Sequence, residues 1–342
     1  MASDSPNSRT ILVTGASGFV GRHLVDAFAD RGGSVIAVDV AGKPWRDDIR
    51  WEHGDVRERE RMVALCEGVD VVVHNASVVH TRRNKESFVW DVNHGGTRTM
   101  IDACRTAGVE RLVYMSSASV VYEGRDIVGG DERLPYSSIS QAPYADSKIA
   151  AEQDALAANG DDLAVCALRP HVVFGPHDQR LLPALLQRAR AGKLKLGVGS
   201  GDKLSDFTYV SNLVDATVSA AERLAPGSAV AGQAYFITNG EPMDFFAFVD
   251  AVLVELGMPK IRGRVPFAVA YPVAAIKETW DTLKGGSLGN EGNFSRFSVR
   301  YMCTHHYFSI AKARRDLDYE PKVSIAEGIE RTIEHLREHG EA

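Results

Sequence analysis

One stretch limits what this chain can fold into: Ile11-Leu-Val-Thr-Gly15-Ala-Ser-Gly18-Phe-Val-Gly21, an apolar strand, a glycine turn and the start of a helix. Gly15 permits the tight turn, Gly18 lets backbone N–H groups approach a bound group, and Gly21 allows helix and strand to pack closely. Five further apolar runs follow, at 35–38, 51–53 (the weakest), 70–74, 111–116 and 164–169. Helix-like segments with apolar spacings of three and four lie between them, at 23–29, 96–106 and 145–158. Strands alternating with helices predict a parallel sheet covered on both faces, and continuous apolar runs suit strands buried on both sides.

After Pro170 the pattern loosens into a helix over 181–191, a glycine-rich turn over 197–201 and a helix beginning near Ser211. One strand over 234–237 returns to the sheet, and residues 285–293, with four glycines, read as a mobile loop. The 342 residues, 44% hydrophobic and 25% charged, suffice for one large α/β domain with a smaller companion. The predicted architecture is a Rossmann-type doubly wound parallel sheet on residues 8–180, with return segments near 205–238. A smaller C-terminal substrate-binding lobe takes 181–204 and 239–340.

The helix that follows the glycine loop presents unpaired N–H donors and a partial positive charge, a place for a pyrophosphate. Ser17, Phe19 and Val20 complete the loop beside Gly15, Gly18 and Gly21. Asp39 ends the second strand, where a carboxylate accepts both ribose hydroxyls and repels a 2′-phosphate. NAD is therefore favoured over NADP, with Lys43 and Arg46 close enough to offset some of that repulsion. Asp55 and Val56 end the third strand as an adenine contact, and Asn75-Ala76-Ser77 ends the fourth with small residues that admit the cofactor. Pro170 and Val172 follow the 164–169 strand and are placed beside the nicotinamide. All lie at the carboxyl ends of strands, where open α/β sheets bind ligands.

Pro143-Tyr144-Ala-Asp-Ser-Lys148 supplies the chemistry. Residues four apart share one helix face, so Tyr144 and Lys148 stand together. A phenol with pKa near 10 is a poor base at neutral pH, and a nearby ammonium shifts it downward; the same ammonium can hold the nicotinamide ribose. Ser117, 27 residues earlier at the end of a strand, is the candidate for holding the substrate oxygen. Ser116 is the alternative, because one slip of register exchanges the two. Asn93 stands in a helix-like segment that does not favour it.

In these segments the chain resembles the extended short-chain dehydrogenases, and within them the 3β-hydroxysteroid dehydrogenase family. The broad resemblance rests on Thr14-Gly-Ala-Ser-Gly-Phe-Val-Gly21, Ser116-Ser-Ala-Ser119 and Tyr144 to Lys148. The narrower one rests on Val120 to Tyr136, Phe174-Gly-Pro-His-Asp-Gln179, Gly201 to Leu213, Gly232 to Thr238 and Tyr307 to Pro321. The resemblance implies NAD-linked oxidation of a 3β-hydroxyl on a steroid or sterol-like ring. Tyr144 would act as base, Ser117 would orient the oxygen, Lys148 would supply positive charge and Asn93 would support a water relay. Decarboxylation follows where a carboxylate lies beside the new ketone. One departure stands out: family members that move a double bond are thought to use an acid just after the strand matching 235–237, where this chain has Asn239, with Glu241 two residues on. The alternatives within the superfamily are a long-chain β-hydroxy or β-keto acid oxidoreductase and a sugar-nucleotide epimerase or dehydratase.

The net charge of −6, with both signs mixed, gives no basic face for a nucleic acid. Four scattered cysteines argue for reduced thiols rather than a zinc site, and no metal is expected. The polar start carries no secretion signal, so a cytoplasmic protein is expected, as is a homodimer. Residues 265–276, with Trp280 and Leu283, form either a helix packed on the core or a lid touching lipid, at most a peripheral membrane contact.

Overall fold

A computed structural model describes residues 9–80, 85–283 and 295–340; the glycine-rich loop expected at 285–293 lies outside them. The chain begins with strand β1 (Thr10–Thr14), helix α1 (Phe19–Asp30), β2 (Ser34–Asp39), β3 (Arg50–His53), α2 (Arg59–Cys66) and β4 (Val71–His74). There follow α3 (Glu86–Trp90), a π-turn (Asp91–Gly95), α4 (Gly96–Ala107), β5 (Arg111–Met115), β6 (Ile127–Gly130), α5 (Pro143–Ala157), β7 (Ala164–Pro170) and β8 (Val173–Phe174). The second half holds α6 (Leu181–Arg190), β9 (Leu196–Val198), β10 (Leu204–Ser205), β11 (Thr208–Tyr209), α7 (Val210–Arg223), β12 (Ala234–Ile237), β13 (Met243–Asp244) and α8 (Phe245–Glu255). It closes with β14 (Gly263–Val265), α9 (Phe267–Leu283), α10 (Arg296–Met302), β15 (His306–Phe308), α11 (Ala311–Leu317) and α12 (Ile325–Glu338).

Seven parallel strands form the main sheet in the order β12-β7-β5-β4-β1-β2-β3. The chain reverses direction across the sheet between β1 and β4, so the crevice at their carboxyl ends is the natural ligand site. Strands β4 and β7 are buried along their whole lengths, as expected for strands covered by helices on both faces. One face packs against α1 and α7 through Leu24, Val25, Leu213 and Val214; the other packs against α2, α4 and α5 through Leu65, Met100, Ala151 and Ala155. Pro143 occupies the first turn of α5, where its missing N–H costs nothing.

A third core joins α6, α8, α9 and α12 around Leu186, Phe248, Val252, Ala274 and Ile333. Helix α12 carries Ile325, Ile329, Ile333 and Leu336 on its inward stripe, and Ser324 caps it by accepting the Glu327 N–H at 3.2 Å. Two details depart from the sequence division. Ala313, Leu317 and Tyr319, assigned above to the substrate lobe, pack into the core of the main sheet. β6, assigned to the first domain, joins a separate sheet ordered β13-β10-β15-β6. The turn expected at 197–201 begins as β9, which pairs with β14. Residues 267–276 form the first part of α9, which runs on through Pro272; Ala270 and Ala274 are buried, whereas Val269, Val273 and Ile276 are exposed. No described helix is long and apolar enough to cross a membrane.

Candidate functional site

A cleft of about 620 Å³ opens over the carboxyl ends of the sheet. Its wall includes Gly15, Gly18, Phe19 and Val20 of the glycine loop, Asp39, Asp55, Val56, Asn75, Ala76, Ser77 and Pro170, together with Tyr144 and Lys148. Gly15 has φ +68, and a Cβ there would lie 2.8 Å from the Ala76 backbone, so the loop and the end of β4 meet only because that residue is glycine. Gly18, the residue before α1, has no side-chain cap, which leaves the first N–H groups of the helix available to an anion. These features fit the pyrophosphate and ribose of NAD.

Five residues expected to contact the cofactor or the substrate are absent from the cleft wall: Ser17, Gly21, Asn93, Val172 and Ser117, whose neighbour Ser116 lines the cleft instead. Gly21 is spent on packing, since a Cβ would collide with the Gly15 carbonyl. The Ser17 N–H is donated to Asp39 at 3.0 Å and its hydroxyl to the Ala41 carbonyl at 2.5 Å, so Ser17 holds the loop instead of a phosphate. Val172 adopts φ +37, a costly conformation for a β-branched residue, and Val173 takes the place at the wall. Asn93 is buried, as described below. The positive charges near Asp39 are also accounted for in part. Arg46 is held by Asp30 at 2.6 Å and Asp48 at 2.7 Å, which raises its pKa and leaves it little freedom to receive a 2′-phosphate.

Helix α5 places Tyr144, Lys148 and Glu152 on one face. The Lys148 ammonium donates to the Met115 carbonyl at 2.7 Å and lies 4.9 Å from the Tyr114 ring. Burial pulls its pKa down to about 7, with the Glu152 charge acting in the opposite sense. Burial also raises the Tyr144 phenol, while the Ser117 hydroxyl and the Arg180 charge act to lower it. The Tyr144 pKa is thus raised rather than lowered, and the groups that act to lower it are Ser117 and Arg180 rather than the Lys148 expected from the sequence.

The two serines separate cleanly. Ser116 turns inward and donates to Glu152, whose carboxylate also receives the Arg169 guanidinium at 2.5 Å and the Tyr136 hydroxyl at 2.8 Å. Ser117 accepts from the Ser119 N–H at 3.2 Å and the Ser119 hydroxyl at 2.9 Å, leaving its own proton for the Tyr144 phenol, whose pKa it lowers. Asn93 lies in the π-turn, a local widening common at functional sites. Its amide donates to the Val78 carbonyl and the Ser147 hydroxyl, both at 3.0 Å, and accepts the Val78 N–H at 2.7 Å and the Ser77 hydroxyl at 3.3 Å. With its backbone carbonyl accepting Thr97 at 2.6 Å as well, the side chain has no capacity left for a water relay.

Several residues near the cleft were not singled out from the sequence. Asp178, Gln179, Arg180 and Leu181 wall it opposite the glycine loop. Tyr301 is close enough to Tyr144 for the Tyr144 charge to help raise its pKa, and its hydroxyl meets His171 Nε2 at 2.6 Å. Its 130-residue separation from His171 left no local signal. Asn239 accepts from the Tyr209 N–H and the Asn212 amide, both at 2.9 Å, and donates to the Val323 carbonyl at 2.9 Å, a structural role throughout.

Comparison with known proteins agrees with this geometry. Residues 12–268 match the model of the 3-beta hydroxysteroid dehydrogenase/isomerase family. The chain is 41% identical to the 2-alkyl-3-oxoalkanoate reductase of Stenotrophomonas maltophilia (strain K279a), over 94% of this chain and 97% of that protein. It is 36% identical to the decarboxylating sterol-4-alpha-carboxylate 3-dehydrogenase of Mus musculus, over 98% of this chain and 94% of that one. A solved structure of MoeE5 in complex with UDP-glucose and NAD is similar at a TM-score of 0.74 and 26% identity, covering 96% of this chain and 99% of the other.

Proposed function

The chain belongs to the 3-beta hydroxysteroid dehydrogenase/isomerase family, and from that premise we propose that it oxidises a 3β-hydroxyl on a steroid or sterol-like substrate to the ketone. It is an NAD-dependent oxidoreductase. The observation that carries the reading is Tyr144 beside Lys148 at the mouth of a cleft whose far end is the glycine loop. When bound, NAD supplies the hydride acceptor and a positive charge. Ser117 donates its hydroxyl proton to the substrate oxygen, and Tyr144 Oη takes the alcohol proton. Lys148, fixed through the Met115 carbonyl, would hold the nicotinamide ribose. Asn93 acts as a positioning residue: it ties the loop after β4 to Ser147, whose hydroxyl also donates to the Tyr144 carbonyl at 2.9 Å.

A second reading has its own support. The 41% identical relative is named for an α-branched β-keto acid, and the sterol relatives for a 4-carboxylate beside a 3-hydroxyl. Both names describe an apolar molecule with a carboxylate one carbon from the reacting centre. Arg180 walls the cleft near enough to Tyr144 to lower its pKa, a suitable place for that carboxylate. Loss of CO2 from the resulting β-keto acid then uses the ketone as electron sink. Asn239 offers no acid for isomerisation. The exposed Val269, Val273 and Ile276 stripe on α9 supports peripheral contact with lipid, which co-sedimentation with vesicles, lost in Val273→Glu, would detect.

The test is a substrate panel followed by the absorbance of the reduced nicotinamide. It comprises 3β-hydroxysteroids, 4-carboxysterols, 2-alkyl-3-hydroxyalkanoates and UDP-glucose, each with NAD and with NADP. Turnover of a sterol, strongest with the 4-carboxylate, is the expected result. Turnover confined to the acyclic acids would select the second reading, and turnover of UDP-glucose alone would overturn both.

A further inference from the structure

Away from the cleft, four histidines from three parts of the chain converge. At the end of α12, His335, Glu338 and His339 are spaced three and four apart and share one face. Their ligand atoms all lie within 4.8 Å of one another. A tetrahedral ion with bonds of roughly 2.0–2.2 Å needs donor atoms about 3.4 Å apart, so small side-chain rotations close the set. The His335 and His339 rings are 4.1 Å apart, and the His177 ring stands 4.4 Å from His335 and 6.3 Å from His339. His177 reaches that position from the loop after β8 with φ +65, an uncommon backbone conformation for a residue other than glycine.

One further contact points to a ligand. His339 Nδ1 donates its N–H to the His335 carbonyl at 2.8 Å, which leaves Nε2 as the ring nitrogen available to an ion. A backbone carbonyl holding the second nitrogen is the usual support of a metal-bound imidazole.

We propose that His335, Glu338 and His339, joined by His177, form a binding site for a late first-row divalent ion of the Zn2+ type. Two or three imidazoles with one carboxylate suit Zn2+, Co2+ or Ni2+ and not the all-oxygen preference of Mg2+ or Ca2+. The ion takes no part in the hydride step. Its effect is mechanical. The His177 loop continues directly into Asp178, Gln179 and Arg180, which wall the cleft, and His23 of α1 holds the same loop through the Pro176 carbonyl at 2.8 Å. An ion shared between α12 and His177 therefore pins the substrate side of the cleft to the C-terminal helix. Cysteine spacing gives no sign of such a site, and although His335, Glu338 and His339 are neighbours on one helix, only the fold brings His177 to them.

The test uses the full untagged chain, stripped with chelator and titrated with Zn2+ by calorimetry and with Co2+ by visible absorption. One equivalent is expected to bind at micromolar or tighter affinity, with Co2+ giving the intense bands of a four-coordinate site. His335→Ala and His339→Ala should each weaken binding at least tenfold, and His177→Ala about tenfold. His335→Gln, and the melting temperature in chelator, serve as controls for folding. No saturable binding below 100 µM, or binding unchanged in both α12 variants, overturns the site. Loss in the α12 variants with none in His177→Ala overturns the link to the cleft loop.

Discussion

Replacing Glu152 by Gln removes one charge from the most deeply buried ion pair of the protein's described residues. The Glu152 side chain is fully buried and the Arg169 side chain is 4% exposed. The carboxylate receives three groups, the Arg169 guanidinium, the Ser116 hydroxyl and the Tyr136 hydroxyl, and Arg169 Nη1 already lacks a partner. A neutral amide in that position leaves the guanidinium buried without a counter-charge, which costs about 3–5 kcal/mol. Unfolding entropy near 2.1 cal/mol/K per residue, over a chain of this length, converts the loss into a melting temperature lower by roughly 4–7 °C. Calorimetry or circular dichroism measures that shift directly. The same change takes away the charge that favours the Lys148 ammonium, so the Lys148 pKa should fall further below 7. A double replacement, Glu152→Leu with Arg169→Met, should restore most of the lost stability, because two apolar groups leave no buried charge. A melting temperature for Glu152→Gln within 1 °C of the parent would refute the reasoning, since it would mean that water reaches this pair.

Tyr144→Phe should leave the NAD dissociation constant within about twofold while lowering turnover by about 10²–10⁴; comparable turnover would show that the base is another group. Lys148 has a folded pKa of about 7, below its unfolded value. The unfolded chain then binds more protons between these values, so this group's contribution to stability grows as pH rises from about 7 towards 10.5. NMR of labelled lysine should show one side chain titrating near neutrality, and a uniform set near 10.5 would contradict it. Asp39→Asn should narrow the preference for NAD over NADP at least tenfold in kcat/KM by removing the repelling carboxylate, and an unchanged ratio would move discrimination elsewhere. Gly21→Ala forces a methyl group into the Gly15 carbonyl, so it should weaken NAD binding more than tenfold, as measured by tryptophan fluorescence.

The parts of this architecture that were legible in sequence are those written in short-range patterns. The glycine loop spans eleven residues, and Tyr144 and Lys148 are four apart on a helix, so local spacing alone locates them. Local spacing does not decide between Ser116 and Ser117, because alternate strand residues face opposite sides and the residue just after β5 is settled only by what α5 presents to it. Helix α2 went unseen because its charged residues mask the apolar Met62, Leu65 and Cys66. Strands β9 and β14 are three residues each and gain their identity from pairing across 67 positions. The contact of Tyr301 with His171 is likewise a product of folding, as is the commitment of Asn93 to four partners that rules out the relay expected for it.

The polar groups beneath the cleft have a common task in setting the register of α5. That helix packs on the sheet through Ala145, Ala151 and Ala155, residues too small to interlock, so apolar packing alone would let it slide along or rotate against β5 and β7. Three directional contacts prevent this, at Ser147 to Asn93, Lys148 to the Met115 carbonyl and Glu152 to Ser116 and Arg169. Lys148 and Glu152 stand one and two turns beyond Tyr144, and Ser147 adjoins Lys148, so the contacts bracket the face that carries Tyr144. Small side chains let the helix approach the strand ends closely, and the polar contacts then fix the position of the phenol. The buried ion pair is costly as a source of stability, and its retention is intelligible as the anchor that keeps Tyr144 facing Ser117. On this account an apolar replacement of the Glu152 and Arg169 pair that preserves the melting temperature still loosens the phenol, and stability and turnover part company at this pair.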